Sequence, residues 1–181
     1  GFLWLATFSG VYRFEGKSFK KYQFDPNKLS IPSDDVTSIV YDSLRNCIWA
    51  GTDKGLTQFD LLTDSIKLIT GRSINTNQEI AHLQIRSILL DEKSNLLVGT
   101  KKSGLFVYTN QGECYKIPTP GISYIKTIFK DKYQQLWLGS TSAGIVRIKV
   151  NQNYSLDTYD LYRENIPEYP DAEAPLVNFF M

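Results

Sequence analysis

The sequence predicts an all-β chain: a β-propeller segment of about four four-stranded blades, permuted by one strand. Three observations carry this. A tryptophan hairpin recurs as "LWLATFSGVYRF" from Leu3, "IWAGTDKGLTQF" from Ile48, "LLVGTKKSGLFVY" from Leu96 and "LWLGSTSAGIVRI" from Leu136, and self-similarity at forty to fifty residues is the mark of a repeat architecture. A second shared strand precedes three copies: "VTSIVYD" from Val36, "IRSILLD" from Ile85 and "IKTIFKD" from Ile125. No segment shows a helical period, and eleven Tyr, ten Phe and three Trp favour pleated surfaces, where flat rings pack well.

Each position in the repeat has a physical reason. Asp42, Asp91 and Asp131 end the first strand, where a carboxylate can accept nearby backbone amides and start a turn. Polar connectors follow ("SLRN", "EKSN", "KYQQ"). The next strand carries Trp4, Trp49, Leu97 and Trp137 in one column, a bulky packing element in three copies. Two places on come Ala6, Gly51, Gly99 and Gly139, small residues that allow close backbone approach. Thr7, Thr52, Thr100 and Ser140 come next, then Gly10, Gly55, Gly104 and Gly144, glycines suited to a hairpin bend with positive φ. A third strand ("LTQFDL", "LFVYT", "IVRIKV") and a weaker fourth ("SIKLIT", "ECYKIP") complete the unit, which is that of a propeller blade.

The repeats run approximately over 1–35, 36–83, 84–123 and 124–174, in a single partial propeller domain spanning 1–181. "LVNFFM", Leu176 to Met181, matches "IKTIFK" position for position, and Gly1 sits where the turn before "FLW" belongs. Residues 175–181 therefore read as the first strand of a blade, one that can close on residues 1–25. A four-bladed ring, an eight-bladed ring shared by two chains, and an arc of a larger propeller all remain open; a lone arc would expose strand edges and apolar faces.

Composition narrows the functional classes. The 181 residues are 42% hydrophobic and 22% charged, with a formal net charge of +1, ordinary for a globular domain and without a polyanion-binding signature. The acidic residues are uneven: six fall in 151–181 against Arg163 alone. Cys47 and Cys114 lie in apolar runs and read as small buried hydrophobes. No apolar run reaches membrane-span length, so no membrane contact is expected of this segment. "KSFKKYQF" from Lys17 alternates aromatic and basic residues, but an outer strand with one solvated face accounts for it, and nucleic acid is not an expected partner.

The runs "DSLRNCIWAGTDKGLTQFD" from Asp42 and "DKYQQLWLGSTSAGIVRI" from Asp131 resemble two-component regulator propeller repeats. These build the periplasmic sensor regions of Bacteroidetes hybrid two-component systems. The likeness spans nearly the whole chain, weakest at 151–175, and Leu97 departs from it. It implies a periplasmic ligand-sensing part of an inner-membrane receptor, non-enzymatic in itself, whose kinase lies elsewhere in the parent. The implied ligand is an oligosaccharide. The implied partners are a second copy of the chain or the remaining blades of a longer parent. The alternatives are a protein-interaction or dimerisation scaffold with no sugar binding and, further off, a streptogramin-lyase-like enzyme.

Catalytic patterns are hard to assemble. His82 is the single histidine, which leaves a Ser–His–Asp triad or a histidine metal site without parts. Sialidase Asp-box and WD signatures are absent, as is any phosphate-cradling glycine loop. Neither catalytic nor metal-ligating residues, nor a cofactor, are expected. Ligand-binding candidates come from topology: turns between second and third strands share a face with the connections between blades. That gathers Asp53, Lys54, Lys101, Lys102, Thr141 and Ser142, with Arg72 and Tyr124 from the longer connections.

Overall fold

The computed structural model describes residues 2–141 and 143–162. The expected strand 175–181, Gly1 and Ser142 lie outside the described residues. Among the described residues fifteen strands form four antiparallel sheets. The first has three strands, β1 (Leu3–Thr7), β2 (Gly10–Phe14) and β3 (Phe19–Tyr22). The second has β4 (Val36–Asp42), β5 (Cys47–Thr52), β6 (Gly55–Asp60) and β7 (Ile66–Ile69). The third has β8 (Ile85–Leu90), β9 (Leu96–Thr100), β10 (Leu105–Tyr108) and β11 (Cys114–Ile117). The fourth has β12 (Thr127–Lys130), β13 (Leu136–Ser140), β14 (Gly144–Val150) and β15 (Leu156–Tyr162). Within each sheet the strands pair in sequence order, as in a propeller segment.

Sheets stack face to face, so central strands are buried on both sides and alternate between two cores. Ile48 and Ala50 of β5 pack towards the first sheet, while Cys47 and Trp49 pack towards the third. In β9, Leu96 and Val98 face the second sheet and Leu97 the fourth. Each of three apolar clusters thus fills one seam between neighbouring sheets. Both thiols are free and buried, and burial pushes Cys114 up to about 12, which removes it from thiolate chemistry at neutral pH.

The Asp column does what its position predicts, and more. Asp42 Oδ1 accepts the amides of Leu44 and Arg45, each at 3.1 Å. Asp91 Oδ1 accepts Lys93 and Asn95 at 2.9 and 2.7 Å, and Asp131 Oδ1 accepts Tyr133 and Gln135 at 2.8 and 3.0 Å. The second carboxylate oxygen reaches the tryptophan column: Trp49 Nε1 donates to Asp42 at 3.2 Å and Trp137 Nε1 to Asp131 at 2.9 Å. Where Leu97 replaces the ring, the side-chain amide of Asn95 donates to Asp91 Oδ2 instead, at 2.8 Å. The third copy keeps its turn by changing the donor.

Rings also tie neighbouring sheets. Trp4 and Tyr22 of the first sheet pack on Phe59 of the second, and Trp49 meets Tyr108 of the third with ring centroids 5.6 Å apart. Arg45 extends the bond network of Asp42 across the same seam. Its guanidinium pairs with Asp42 Oδ2 at 2.6 Å and donates to the carbonyls of Ser94 and Thr109 at 2.6 and 3.1 Å. At the first seam Asp64 takes Arg13, Lys20 and the Tyr22 hydroxyl.

The glycine column needs one correction. The expected close approach of backbone is instead an approach of side chains: a Cβ at Gly51 would stand 2.5 Å from Ile85 Cγ2 and 2.8 Å from Ser38 Oγ. A Cβ at Gly99 would stand 2.6 Å from Ser87 Oγ and 2.8 Å from Ile125 Cγ2. An isoleucine at or just ahead of the next sheet's first strand, Ile85 or Ile125, occupies the room a side chain would take.

Burial opposes ionisation of Asp42, but the Arg45 side chain and amide, the Ser94 hydroxyl and the Trp49 indole outweigh it and hold its carboxyl below the ordinary 3.8. A carboxyl depressed in the folded state contributes stability that is present above about pH 4 and lost as pH falls through the folded value. Asp42→Asn should therefore flatten the acid limb of the stability curve, read by denaturant titration between pH 7 and pH 2. Asp42→Ala, which strands buried donors, should cost about 3–5 kcal/mol at pH 7, measured by the same titration. Gly51→Ala should cost about 1–3 kcal/mol by overpacking, with Ile85→Ala recovering part of the loss in a double-mutant cycle.

Candidate functional site

The turns between second and third strands are built alike. Thr52 Oγ1 donates to the Gly55 carbonyl at 2.9 Å and accepts the Lys54 amide at 3.1 Å. Thr100 does the same with Gly104 and Ser103, at 2.8 and 2.9 Å, and Thr7 with Gly10 and Ser9, at 2.8 and 3.1 Å. The threonine column is thus a side-chain turn lock. The glycines have φ of +116° at Gly10, +143° at Gly55, +78° at Gly104 and +74° at Gly144, so the bend needs the residue that reaches that region without strain.

These tips are fastened to the connections between sheets. The Asp53 amide donates to the Asp35 carbonyl at 3.2 Å and the Lys101 amide to the Gln84 carbonyl at 2.8 Å. The Gly104 amide donates to the Ser123 carbonyl at 2.9 Å, and Gly55 lies against the Ala81 carbonyl. Tips and connections therefore share one face. Asp53, Lys101 and Thr141 are half-buried at their tips, Lys54 and Lys102 are exposed beside them, and Tyr124 is half-buried just ahead of β12. Ser142 lies outside the described residues. Arg72 stands apart: it is exposed just after the outer strand β7, bonded to the Asn77 carbonyl at 2.9 Å. Its loop is held against the outer strand of the third sheet, where Asn75 exchanges two bonds with the Lys116 backbone.

The structure adds residues that sequence reasoning missed. Asp35 Oδ1, Asp53 Oδ1, Gln84 Oε1 and Arg86 Nε are buried and make no hydrogen bond to any described residue. Asp35 and Gln84 stand one residue before β4 and β8, and Tyr124, the aligned residue of the fourth repeat, stands three residues before β12. The groups of the second and third sheets are joined by Thr37, whose hydroxyl donates to the carbonyls of Gly51 and Ile85 at 3.1 and 2.9 Å. Buried polar groups are ordinarily paired; the hydroxyls of Ser38, Thr57 and Ser87 are likewise buried and unpaired, so such groups occur within the strands as well as at their mouths. The available signal was a polar residue at the mouth of each otherwise apolar first strand. Signs are mixed, with two aspartates set among Arg86, Lys54, Lys101 and Lys102.

Two cavities lie away from this face. A groove of about 640 Å³ runs beside β1, lined by Phe2, Trp4, Ile39, Val40, Tyr41 and Ile48 among others. A cleft of about 510 Å³ opens between the third and fourth sheets. His82 is exposed in a connection. Among the described residues no three His, Cys, Asp or Glu side chains are grouped as a metal site needs, and no helix is long and apolar enough to cross a membrane.

By topology the chain is a run of β-propeller blades. No protein-family model matches it. A histidine kinase, P4 of Formosa agariphila, is 38% identical over 87 residues, 46% of this chain and 6% of the kinase. The extracellular domain of BT4673 of B. thetaiotaomicron, described in one structure as a one-component and in another as a hybrid two-component system, is 25% and 24% identical, with TM-scores of 0.63 and 0.64, over 82% and 83% of this chain and 20% of that one. The Dos1 propeller is 14% identical, with a TM-score of 0.53, over 71% of this chain and 35% of that one, a likeness of fold. The chain thus spans a small part of each protein it matches. It is therefore similar to part of a histidine kinase and to part of the extracellular domain of a two-component system, in keeping with the resemblance its repeats carry.

The unpaired groups predict a separation of stability from binding. Asp53→Ala and Gln84→Ala remove buried acceptors that no described donor satisfies. Each should leave the thermal midpoint unchanged or raise it by the equivalent of about 1 kcal/mol, measured by calorimetric scanning.

Proposed function

We propose that this chain is the ligand-receiving propeller part of a two-component sensor, non-enzymatic in itself. It works on the periplasmic side of the inner membrane, and the parent's kinase lies outside the segment. The ligand is an oligosaccharide held on the hairpin-tip face. The observation that carries this reading is the set of buried, unpaired polar groups at Asp35, Asp53, Gln84 and Arg86. Sugar hydroxyls donate and accept at once, and carboxylates, a carboxamide and a guanidinium meet both roles. Tyr124 offers an amphipathic ring beside them, and Lys54, Lys101 and Lys102 suit an acidic sugar. Calorimetric titration against a panel of neutral and acidic oligosaccharides should give saturable binding to at least one. Asp53→Ala and Gln84→Ala should weaken it tenfold or more with stability intact. An intact parent ectodomain that binds no sugar would sink the proposal.

A second reading, a self-associating scaffold, has its own observation. Among the described residues β1 pairs only with β2, and its inner edge adjoins the apolar groove where β4, β8 and β12 serve as first strands in the other sheets. The strand proposed at 175–181 fits that role, from the same chain or a second copy, and the remaining blades of a longer parent would fill it equally. Solution mass by light scattering separates monomer from dimer. Ligand binding unchanged by face substitutions, together with a mass altered by Leu5→Lys on β1, would favour the scaffold over the sensor.

A further inference from the structure

We propose that the cleft between the third and fourth sheets binds the planar aromatic ring of a small molecule, at the place where the other repeats supply a ring of their own. Cross-strand register puts three residues in a row on the same face of every sheet. The rows are Trp4–Arg13–Lys20, Trp49–Gln58–Lys67 and Trp137–Arg147–Asp160 in the first, second and fourth sheets. In the first and fourth, the guanidinium lies over the indole, 5.4 and 5.5 Å from its centroid. The third row is Leu97–Val107–Tyr115. Two short aliphatic side chains stand where the other rows hold a ring and a long polar chain above it.

The space left by this double truncation is open. The cleft of about 510 Å³ is floored by Leu97, Val107, Ile117, Leu136 and Val150, and its volume falls in the roughly 300–1,000 Å³ range of small-molecule pockets. An aliphatic cavity of about 150 Å³ is enough to take a benzene ring. Tyr154 forms a wall, stacked on Tyr115 with centroids 4.9 Å apart, and offers a further ring contact. The rim supplies polar recognition. Lys93 and Gln152 have no side-chain partner among the described residues, while Glu92 is neutralised by Lys130 at 2.5 Å. A ring bearing a carboxylate or hydroxyl would place its apolar face on the floor and its substituent by Lys93. The turn does not depend on a ring here, because Asn95 has taken over the bond to Asp91. This site is separate from the hairpin-tip face, and its occupant does not depend on that face binding sugar.

The probes are indole and indole-3-acetate, titrated into the full chain and followed by calorimetry and by methyl NMR of Leu97, Val107 and Leu136. One saturable site is expected, with the acetate bound more tightly than indole and Lys93→Ala abolishing the difference. Leu97→Trp, which rebuilds the ring of the other repeats, should weaken both probes at least tenfold while leaving the thermal midpoint equal or higher. Leu97→Phe provides the same test should the larger ring disturb folding. Equal affinity in the wild-type and filled variants, or methyl shifts scattered away from the cleft, would overturn the proposal. Tight binding of a tryptophan-containing peptide with no measurable binding of either free indole would overturn it in favour of a protein partner.

Discussion

One carboxylate organises each of the second, third and fourth repeats. Asp42, Asp91 and Asp131 close the turn after the first strand through one oxygen and hold the second strand through the other. A turn and a strand pairing are thereby set by a single side chain, and the register that puts alternate residues into opposite cores follows from it. At Asp42 the network goes further, through Ser94 Oγ at 2.9 Å and through Arg45, into the next sheet. The bonds that shape one repeat therefore also position its neighbour. Around them the three apolar seams form by plain alternation, with no residue needed at the centre of the array.

This arrangement divides the molecule by depth and by face. Rings, isoleucines and free thiols occupy the seams, where every position answers to two sheets. The hairpin-tip face is different: its threonines and glycines fix the backbone, which leaves the residues between them free to vary. Asp53, Lys101 and Thr141 occupy equivalent tips with unlike chemistry, as do Asp35, Gln84 and Tyr124 at the strand mouths. A face assembled from equivalent positions with different side chains can be specific for a ligand without altering the scaffold beneath it, which is the usual relation of loops to a rigid frame.

Much of the fold was legible because its signals are local. A turn aspartate, a glycine at positive φ and an alternating apolar strand each act within a few residues, and repetition made them readable against noise. The hairpin-tip candidates were legible from topology, which places those turns with the connections. Arg72 was not, because the course of its loop depends on Asn75 pairing with Lys116, a contact 41 residues distant. Asp35, Gln84 and Arg86 were missed for a similar reason: a polar atom becomes an orphan only when a neighbouring sheet takes its water away. Leu97 was visible as a weaker copy, but the amide that replaces the indole and the cleft beside it belong to tertiary structure.

The isoleucine lodged against Gly51 and against Gly99 has a geometric consequence. Two adjacent sheets approach there to a distance that a single methyl group would forbid, while their outer strands are spread by rings and long side chains. Each seam is consequently a wedge, and its angle is set by the difference in bulk between its narrow and wide ends. Gly51 and Gly99 act as spacers of zero thickness, and the curvature of the whole array is the sum of such choices. In the first repeat the column holds Ala6, and Val36 stands in the sequence where Ile85 and Ile125 stand in the repeats that follow, both in the same apolar seam, so one carbon gained in one column is matched by one lost in the other.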